Sequence, residues 1–560
     1  MELKNPKVLI LYILSCLFII SVSLIVLNYS VDVIWADEWD TPGNLLIKEI
    51  SGQTTVEFSD FISQHNESRK LFPKIFYYTL YKLGIFDTRF GVLFRLFIGF
   101  LTCFLLYFIL KSKSPVNDAL RILLTSLLIF IPSQAYNHIF GLQFITIIPP
   151  FCIIMCLFIC MLKCNNLIKL FFLITLCNIS TYSYSNGMIN WLIVNPIVLK
   201  IFGLKIFKRL HLYVFNIFFI FSILLYFWDY QPPSHHPSFI DGLTDPVRLL
   251  IYASIWIFSP FLIGITDPVF KSVFLSIFFF FCLFYLGRRL IVFLKSSDVL
   301  SWDIICGISL LLYSFFSCCV TSIGRSGFGY MAALGPQYPS FAIWFHLGLL
   351  ILFFSTNLRA SNQLRFILLG AYSILFLFSL EKGFNDLKNW NVKMRQAKLT
   401  VENLNICPGN SLISEFYPSR LLISEKSHLF AKRGLIKFSQ NEWITKISPK
   451  NENFLGESGW VTIVRSKSAI RLHGWASIPS TKRPADYVLV GIHLQNRFIP
   501  LTFIIPHVIR NDVRKVLGDN DESIYGFDKL VELYPEYIKS KITLYSVDLS
   551  NRSYYKLSEN

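Results

Sequence analysis

The chain has 560 residues, of which 54% are hydrophobic and 16% aromatic, and its mean hydropathy is +0.52. Soluble domains are only about 45–50% apolar even when Gly is counted, so this composition excludes an ordinary soluble protein and indicates a polytopic membrane protein. The formal net charge of +17 does not call for a nucleic-acid partner, because Lys and Arg concentrate in the short cytoplasmic loops of membrane proteins.

The first apolar run covers residues 8–27, which is long enough to cross about 30 Å of hydrocarbon. It is too long for the apolar region of a signal peptide, and no small-residue cleavage site follows it. We therefore predict a retained anchor with a cytoplasmic N-terminus. The positions of Lys and Arg then predict further spans at 90–110, 119–134, 139–162, 170–181, 188–202, 211–228, 269–286, 302–322, 339–356 and 364–380, or about eleven spans in all.

The apolar run 247–265 does not fit this alternation. If it spans the membrane, Arg288, Arg289 and Lys295 fall on the outer side and every later loop inverts. Pro260 lies inside the run, and non-helical turns at membrane depth are tolerated where protein surrounds them. We therefore predict a re-entrant or interfacial segment here.

The C-terminal part of the chain has a different texture from residue 381 onward. Short alternating runs appear there, namely "WVTIVRS", "AIRLHGWASI", "DYVLVGIHL" and "KITLYSVDL". Such period-two runs between turn residues favour a β-sandwich. The predicted fold is thus a polytopic α-helical membrane protein over 1–382, a charged helical connector over 383–400, and a mainly-β domain over 401–560 that the topology places in the periplasm.

The stretch "VDVIWADEWDTPG" at 31–43 places several carboxylates directly after the first span, in a predicted outer loop over 28–89. A carboxylate in a partly desolvated site has a raised pKa and can act as a general base toward a hydroxyl. We predict Asp37 as the base, with Glu38 as second choice, and Asp40 as a substrate-binding residue. Trp35 and Trp39, which lie among the acidic residues of this stretch, are typical of interface anchors or of sugar stacking.

Other polar residues fall on the same predicted side. The stretch "HNESRK" offers His65, Asn66, Glu67, Arg69 and Lys70, and a later loop offers Arg325 and Tyr338, all predicted to bind substrate. Arginine engages phosphate bidentately. A base beside a phosphate clamp is what sugar transfer from a polyprenyl-phosphate carrier requires. The segment 71–86 between these groups is predicted to be an interfacial helix.

Two further features leave alternatives open. His235 and His236 lie close to Asp241, in a pattern that admits a metal site or a capped turn. Trp460, Trp475 and Tyr487 in the C-terminal domain suit either the sandwich core or the stacking of an acceptor glycan, which would give that domain an accessory role.

The motifs "WADEWD", "HNESR", "GLQF", "SYSNGMINW" and "GRSGFG" resemble those of the GT-C superfamily of membrane glycosyltransferases. Within it they are similar to the serotype-converting O-antigen glucosyltransferases of bacteria and their phages. The resemblance covers residues 1–380, and the family's acidic pair matches Asp37 and Glu38. In that group a second His often follows the Glu of "HNE", where this chain has Ser68. An Arg often precedes the Tyr that stands here as Tyr338, where this chain has Gln337.

The resemblance implies an inverting hexosyltransferase of the bacterial inner membrane. It would move a sugar, plausibly glucose, from undecaprenyl phosphate to a periplasmic O-antigen or other surface glycan, with membrane lipid as its surroundings and no nucleic acid. No cofactor is certain, and a divalent metal stays open. The alternatives are an O-antigen polymerase or ligase, and a flippase or transporter of lipid-linked sugar. Transporters usually carry charges near the middle of their spans, and these spans have few.

Overall fold

The computed structural model describes residues 5–52, 54–112, 114–202, 209–233, 237, 239–262, 267–295, 300–408, 410–441, 443–444, 458–494, 497–519, 523–537 and 539–559. The chain divides into two compact units. Unit 1 comprises Met1–Ser30, Glu57–Gly84 and Thr88–Trp390, and unit 2 comprises Val31–Val56, Ile85–Asp87 and Asn391–Asn560. This division differs from the expected bounds of 1–382 and 401–560, because the acidic stretch after the first helix clusters with the C-terminal unit.

Helices make up most of unit 1. Within the described ranges the α-helices are α1 (Pro6–Tyr29), α2 (Gly43–Ser51), α3 (Phe58–Ile62), α4 (Leu71–Lys82), α5 (Arg89–Ile109), α6 (Pro115–Ile129), α7 (Ala135–Ile139), α8 (Ile148–Met161), α9 (Asn166–Thr181), α10 (Ile189–Phe202), α11 (Arg209–Phe227), α12 (Phe239–Thr244), α13 (Pro246–Leu262), α14 (Pro268–Lys295), α15 (Trp302–Arg325), α16 (Pro339–Phe353), α17 (Asn362–Glu402), α18 (Arg420–Lys432) and α19 (Asn511–Leu517).

Eight helical segments among the described residues are long and apolar enough to cross a membrane. They are Pro6–Tyr29, Arg89–Ile109, Pro115–Ile139, Gly141–Met161, Leu210–Phe227, Pro268–Lys295, Trp302–Phe328 and Asn362–Glu402. Shorter apolar helices lie at Asn166–Thr181, Pro246–Leu262 and Pro339–Phe353. A mostly helical chain with a β-rich C-terminal region is thus confirmed, and the membrane-length apolar helices are consistent with a multi-pass membrane protein. The number of about eleven spans stays a prediction.

Local sequence explains where the first helix begins. The side chain of Asn5 accepts a hydrogen bond from the backbone N–H of Lys7 at 3.0 Å, and Pro6 occupies the first turn. Asn is a preferred N-cap residue, and Pro is tolerated at a position whose N–H has no helical partner. Few side chains of α1 are buried inside the protein, as expected of a helix that faces lipid.

The segment 247–265, predicted to be re-entrant or interfacial, begins within one continuous helix, α13, which covers Pro246–Leu262. Pro260 lies inside it near the C-terminal end, where the loss of one hydrogen bond disturbs only the last turn. The structure therefore contradicts a chain reversal within the described residues 246–262, whereas the interfacial alternative stays a prediction. Its 17 residues extend about 25 Å, which is slightly shorter than the hydrocarbon layer.

Unit 2 contains two β-sheets. The strands are β3 (Gly459–Arg465), β4 (Ala469–Ile478), β5 (Arg483–Pro484), β6 (Tyr487–Leu494), β7 (Arg497–Ile504), β8 (Gly526–Glu532), β9 (Ile542–Asp548), β10 (Ser553–Lys556) and β11 (Ser558–Glu559), while β1 (Gln64–His65) and β2 (Ser68–Arg69) form a hairpin in unit 1. One sheet has the order β10-β9-β6-β7; the other has β11-β3-β4-β5, with β8 also paired to β4.

The two sheets share one apolar core. Leu472 and Ile478 from the second sheet are buried in the same cluster as Val488, Val490 and Leu544 from the first, so the sheets pack face to face. The opposite face of the first sheet is covered by a second cluster that includes Ile406 and Cys407. Because β6 is thereby covered on both faces, its sequence is a nearly continuous apolar run.

The charged connector predicted at 383–400 has no boundary of its own. It lies within α17, which runs without interruption over Asn362–Glu402. The predicted span 364–380 and the connector are therefore one helix of 41 residues.

Candidate functional site

The acidic stretch forms a short 3-10 turn over Ala36–Trp39 in unit 2. The carboxylate of Glu38 accepts a hydrogen bond from the backbone N–H of Trp35 at 3.0 Å, and the side chain is buried. Glu38 thus caps its own turn, as Asp and Glu do at helix N-termini. This position suits a positioning residue rather than the second-choice base.

Ala36 precedes Asp37 in a left-handed conformation, with a φ of 45°. This conformation costs a non-glycine residue about 1–2 kcal/mol, so the surrounding contacts hold it in place. The carbonyl of Asp37 accepts hydrogen bonds from the N–H groups of Asp40 and Thr41. The side chain of Asp37 is partly exposed, and its backbone is held on both sides.

Asp40 is bonded within unit 2. Its Oδ1 accepts hydrogen bonds from the hydroxyl of Tyr417 at 2.9 Å and from Nζ of Lys426 at 3.3 Å. Lys426 also donates to the carbonyl of Trp39 at 2.8 Å. Burial lowers the pKa of Lys426, and the charge of Asp40 opposes that shift. Asp40 therefore attaches the acidic turn to α18, which leaves little capacity for the predicted substrate contact.

The two tryptophans of the acidic stretch are core residues. Trp39 is fully buried and stacks on Phe430, with ring centroids 5.8 Å apart, and Trp35 packs against Phe416 at 5.7 Å. Both expectations for these residues, interface anchoring and sugar stacking, are therefore wrong. The tryptophans fix the acidic turn onto unit 2 by burying apolar surface.

The stretch "HNESR" forms the hairpin of β1 and β2 in unit 1, with Asn66 and Glu67 as its turn. Asn66 has a φ of 51°, a conformation that Asn tolerates better than most residues. The carboxylate of Glu67 at the tip accepts a hydrogen bond from the guanidinium of Arg325 at 2.7 Å. The side chains are 30% and 27% exposed, respectively, so a ligand could reach this ion pair.

Tyr184, Tyr252 and Tyr338 lie near Arg325. The hydroxyls of Tyr252 and Tyr338 lie 3.4 Å apart. The structure therefore brings the predicted residues Glu67, Arg325 and Tyr338 together. It adds Tyr184, which lies in the motif "SYSNGMINW" but was not singled out as a site residue, and Tyr252, which no local pattern marks.

Arg69 has a different position from the one expected of a phosphate ligand. Its guanidinium donates to the backbone carbonyls of Tyr226 at 2.7 Å, Ile62 at 2.8 Å and Trp228. The last carbonyls of a helix lack donors within the helix, and Arg69 provides a donor to such a carbonyl, that of Tyr226, at the end of α11. Its donors are thus engaged inside the protein, and this geometry argues against the phosphate role.

Lys70 and His65 also support the hairpin. Nζ of Lys70 lies 2.9 Å from Nδ1 of His65, and the Lys70 side chain is buried. Lys74 on α4 donates to the carbonyls of Asp60 and Ser63, each at 2.9 Å. The basic residues around the hairpin therefore fix its shape rather than lining an open cleft.

An apolar groove of about 510 Å³ runs along α9 and α11 in unit 1. From Leu167 to Ile179 its wall follows one face of α9 for about 18 Å. Phe72 lies at the groove, and its N–H donates to the carbonyl of Tyr182, two residues before Tyr184. The groove is lined by Phe72, Leu167, Leu170, Phe171, Ile174, Thr175, Asn178, Ile179, Val214 and Phe218.

The aromatic residues of the sandwich have separate environments. Tyr487 is buried in the second cluster and packs on Phe503, so glycan stacking by Tyr487 is excluded. Trp460 and Trp475 are opposite each other across β3 and β4 and are partly exposed. The guanidinium of Arg510 lies 5.2 Å from the ring centre of Trp460.

The metal question is open in part. His235 and His236 lie outside the described residues, as does the side chain of Asp241. Across the part of the chain that the structure describes, no group of three or more His, Cys, Asp or Glu side chains is arranged to hold a metal ion.

The candidate residues thus form two groups, the acidic turn of unit 2 and the Glu67–Arg325 pair with its tyrosines in unit 1. No protein-family model, curated protein or solved structure matches the chain.

Proposed function

We propose that the protein is an inverting glycosyltransferase of the bacterial inner membrane, which moves a sugar from undecaprenyl phosphate to a periplasmic surface glycan. The observation that carries the proposal is the Glu67–Arg325 ion pair at the end of a membrane-length helix. In this proposal Arg325 lies at headgroup depth, where it meets the phosphate of a lipid-borne donor.

Arg325 is the phosphate-binding residue in this proposal. In the resting protein Glu67 balances its charge. When the donor binds, its phosphate replaces Glu67 as the partner, and the guanidinium stabilises the negative charge that develops on the leaving phosphate. Tyr184 and Tyr338 add hydroxyl groups around the same guanidinium.

The apolar groove along α9 suits the prenyl chain of the donor. Most of its lining side chains are hydrocarbon or aromatic, and the chain near Phe72 leads through Tyr182 to Tyr184. A lipid tail lying there would bring its phosphate toward the region of Arg325.

Asp37 is the proposed base. It removes the proton of the acceptor hydroxyl while that oxygen bonds to the anomeric carbon and the bond from this carbon to the phosphate oxygen breaks. The released lipid phosphate leaves with the electron pair. Loss of a general base costs about 10²–10⁴ in rate. Glu38 holds the turn that presents Asp37.

The deciding experiment uses purified full-length protein in detergent, undecaprenyl-phosphate glucose and an acceptor glycan, with mass spectrometry of the product. Asp37→Asn should lose activity by the factor above, whereas Asp32→Asn, a matched acidic change outside the turn, should keep it. Full transfer by a folded Asp37→Asn and a folded Glu38→Gln variant would falsify the assignment. A polymerase would lengthen the acceptor instead, and a flippase would form no product.

Orientation needs its own measurement. The proposal places the C-terminal unit in the periplasm, so a cysteine introduced at Asn551, in the turn before β10, should react with a membrane-impermeant thiol reagent in cells with a permeable outer membrane. Labelling only after the inner membrane is broken would place this unit in the cytoplasm.

A further inference from the structure

A large cavity lies at the end of unit 1 that is far from Arg325. Its volume is about 1070 Å³, and Trp302 at the start of α15 is part of its wall. Arg325 is the last residue of the same helix, whose 24 residues extend about 36 Å. Since hydrocarbon is about 30 Å thick, the cavity and the Glu67–Arg325 pair lie near opposite faces of a membrane that α15 crosses.

Three basic side chains line this cavity: Lys111, Arg289 and Arg359. Among the described lining residues Asp303 is the one carboxylate. Asp303 pairs with Arg121 at 3.1 Å, and the same guanidinium pairs with Asp118 at 2.5 Å. Among the described lining residues, one carboxylate that is already paired thus stands against three basic side chains, and this part of the cavity favours an anion.

The backbone next to the cavity is held firmly. Nε of Arg289 donates to the carbonyl of Leu358 at 2.9 Å. The following residue, Arg359, has a φ of 48°, a left-handed conformation that is uncommon for a residue with a side chain. This turn between α16 and α17 places Arg359 on the same cavity as Arg289 of α14.

Part of the remaining wall is apolar, beside polar residues such as Ser301 and Asn357. Phe108, Met161 and Phe293 line it on the side of α5, α8 and α14. These apolar side chains would not contribute to the binding of a free anion. They could contact the hydrocarbon chain of a lipid whose headgroup is anionic. Arginine matches phosphate geometry in particular.

We propose that this cavity binds the phosphate headgroup of a membrane lipid, at the membrane face opposite to the Glu67–Arg325 pair. The basic residues contact the phosphate, and the start of the lipid chain lies on the apolar wall. Basic residues that only fix the orientation of the chain in the membrane would not need to line the same cavity. Arg288, which is adjacent to Arg289 in the sequence, is exposed and is not among the lining residues.

The test measures lipid binding, which does not depend on the proposed sugar transfer. Purified full-length protein in detergent is titrated with phosphatidic acid, phosphatidylcholine or inorganic phosphate, and thermal unfolding is followed. Phosphatidic acid should raise Tm, and phosphatidylcholine and inorganic phosphate should not. Arg359→Asn introduces a residue that also tolerates positive φ, and it should raise the apparent Kd for phosphatidic acid at least about tenfold. Arg288→Gln also removes one positive charge and should leave this Kd unchanged.

Two outcomes would overturn the proposal. One is an equal response of Arg359→Asn and Arg288→Gln to phosphatidic acid, which would mean that general surface charge attracts the lipid. The other is full stabilisation by inorganic phosphate alone, which would assign the cavity to a free phosphate. Because neither readout involves the sugar, failure here leaves the proposed function untouched, and failure of sugar transfer leaves this site untouched.

Discussion

The guanidinium of Arg325 and the carboxylate of Glu67 lie 2.7 Å apart, although 258 residues separate them in the chain. The contact joins the end of a membrane-length helix to the tip of a two-residue hairpin turn. Such a partly exposed pair contributes little to stability. In the proposed function, Glu67 balances the charge of Arg325 until the phosphate of the donor takes the place of the Glu67 carboxylate.

This exchange makes opposite predictions for the two partners. Glu67→Gln removes the competing charge, so the donor KM should fall several-fold, whereas Arg325→Lys loses the planar fork and should lower kcat/KM about 10²-fold. Steady-state kinetics with a lipid-linked donor measure both. Arg248→Lys, at an exposed pair in the same unit, is the control and should not change either constant. A rise in donor KM for Glu67→Gln would mean that Glu67 itself binds substrate.

The acidic turn allows a base to be separated from a positioning residue. Glu38→Ala removes the cap on the N–H of Trp35 and should lower the free energy of unfolding by about 0.5–2 kcal/mol, together with the activity. Asp37→Asn should lower activity with no loss of Tm, because its side chain is partly exposed. Thermal unfolding and product formation are measured on the same preparations. A large loss of Tm for Asp37→Asn would show that Asp37 is structural.

Local patterns predicted several elements closely. The run "AIRLHGWASI" is β4 to the residue, because alternation is a local property of a strand with one buried face. Among the strands that were not predicted, β7 has Pro500 in its interior, which normally argues against a strand, and β8 carries few apolar residues.

The roles of charged residues were harder to foresee. Arg69 bonds to carbonyls that are 157 and 159 residues away, and no local pattern carries such information. The same holds for Trp39, whose partner Phe430 lies in another segment of unit 2. Sequence reasoning could mark these residues as notable, but only the fold distinguishes a ligand from a structural support.

Lys74 gives a pH-dependent prediction. Burial, with Lys70 and Arg69 adding repulsion against the attraction of Asp60, lowers the pKa of Lys74 from 10.5 to about 8. Between these values the unfolded chain holds a proton that the folded protein has released, so stability rises with pH across this window. The Tm of wild type relative to that of Lys74→Met should therefore rise from pH 8 to pH 10. A difference in Tm that does not vary with pH would show that Lys74 keeps its ordinary pKa.

Gly187 in "SYSNGMINW" gives a steric prediction. A Cβ at this position would lie 1.9 Å from the carbonyl oxygen of Ser180, and Ser180 also donates to the carbonyl of Gly187 at 3.1 Å. Since that oxygen is main-chain, Gly187→Ala should force α9 and the following turn apart and lower Tm by several degrees. Gly370→Ala, in the interior of α17 where a Cβ meets no atom within 4 Å, is the control and should keep or slightly raise Tm, since Ala favours a helix over Gly.

The sandwich gives the last prediction, which concerns an accessory role in holding a long acceptor. Deleting the C-terminal part of unit 2 would not test this, because α18 in that part carries Lys426 and Phe430, which support the acidic turn. A substitution in the full chain is sharper. Trp460 lies on the outer face of β3, opposite Trp475 and near Arg510, and an aromatic face beside a cation suits stacking against a sugar.

Trp460→Ala should therefore raise KM several-fold for a long glycan acceptor and leave KM for a short acceptor and kcat unchanged. Tyr534→Ala, at another exposed aromatic residue of the same unit, is the control. Equal effects on long and short acceptors would mean that the change disturbs the fold of the sandwich, and a loss of kcat with both would mean that this face takes part in the reaction. Only the length-dependent change in KM supports an accessory glycan-binding surface.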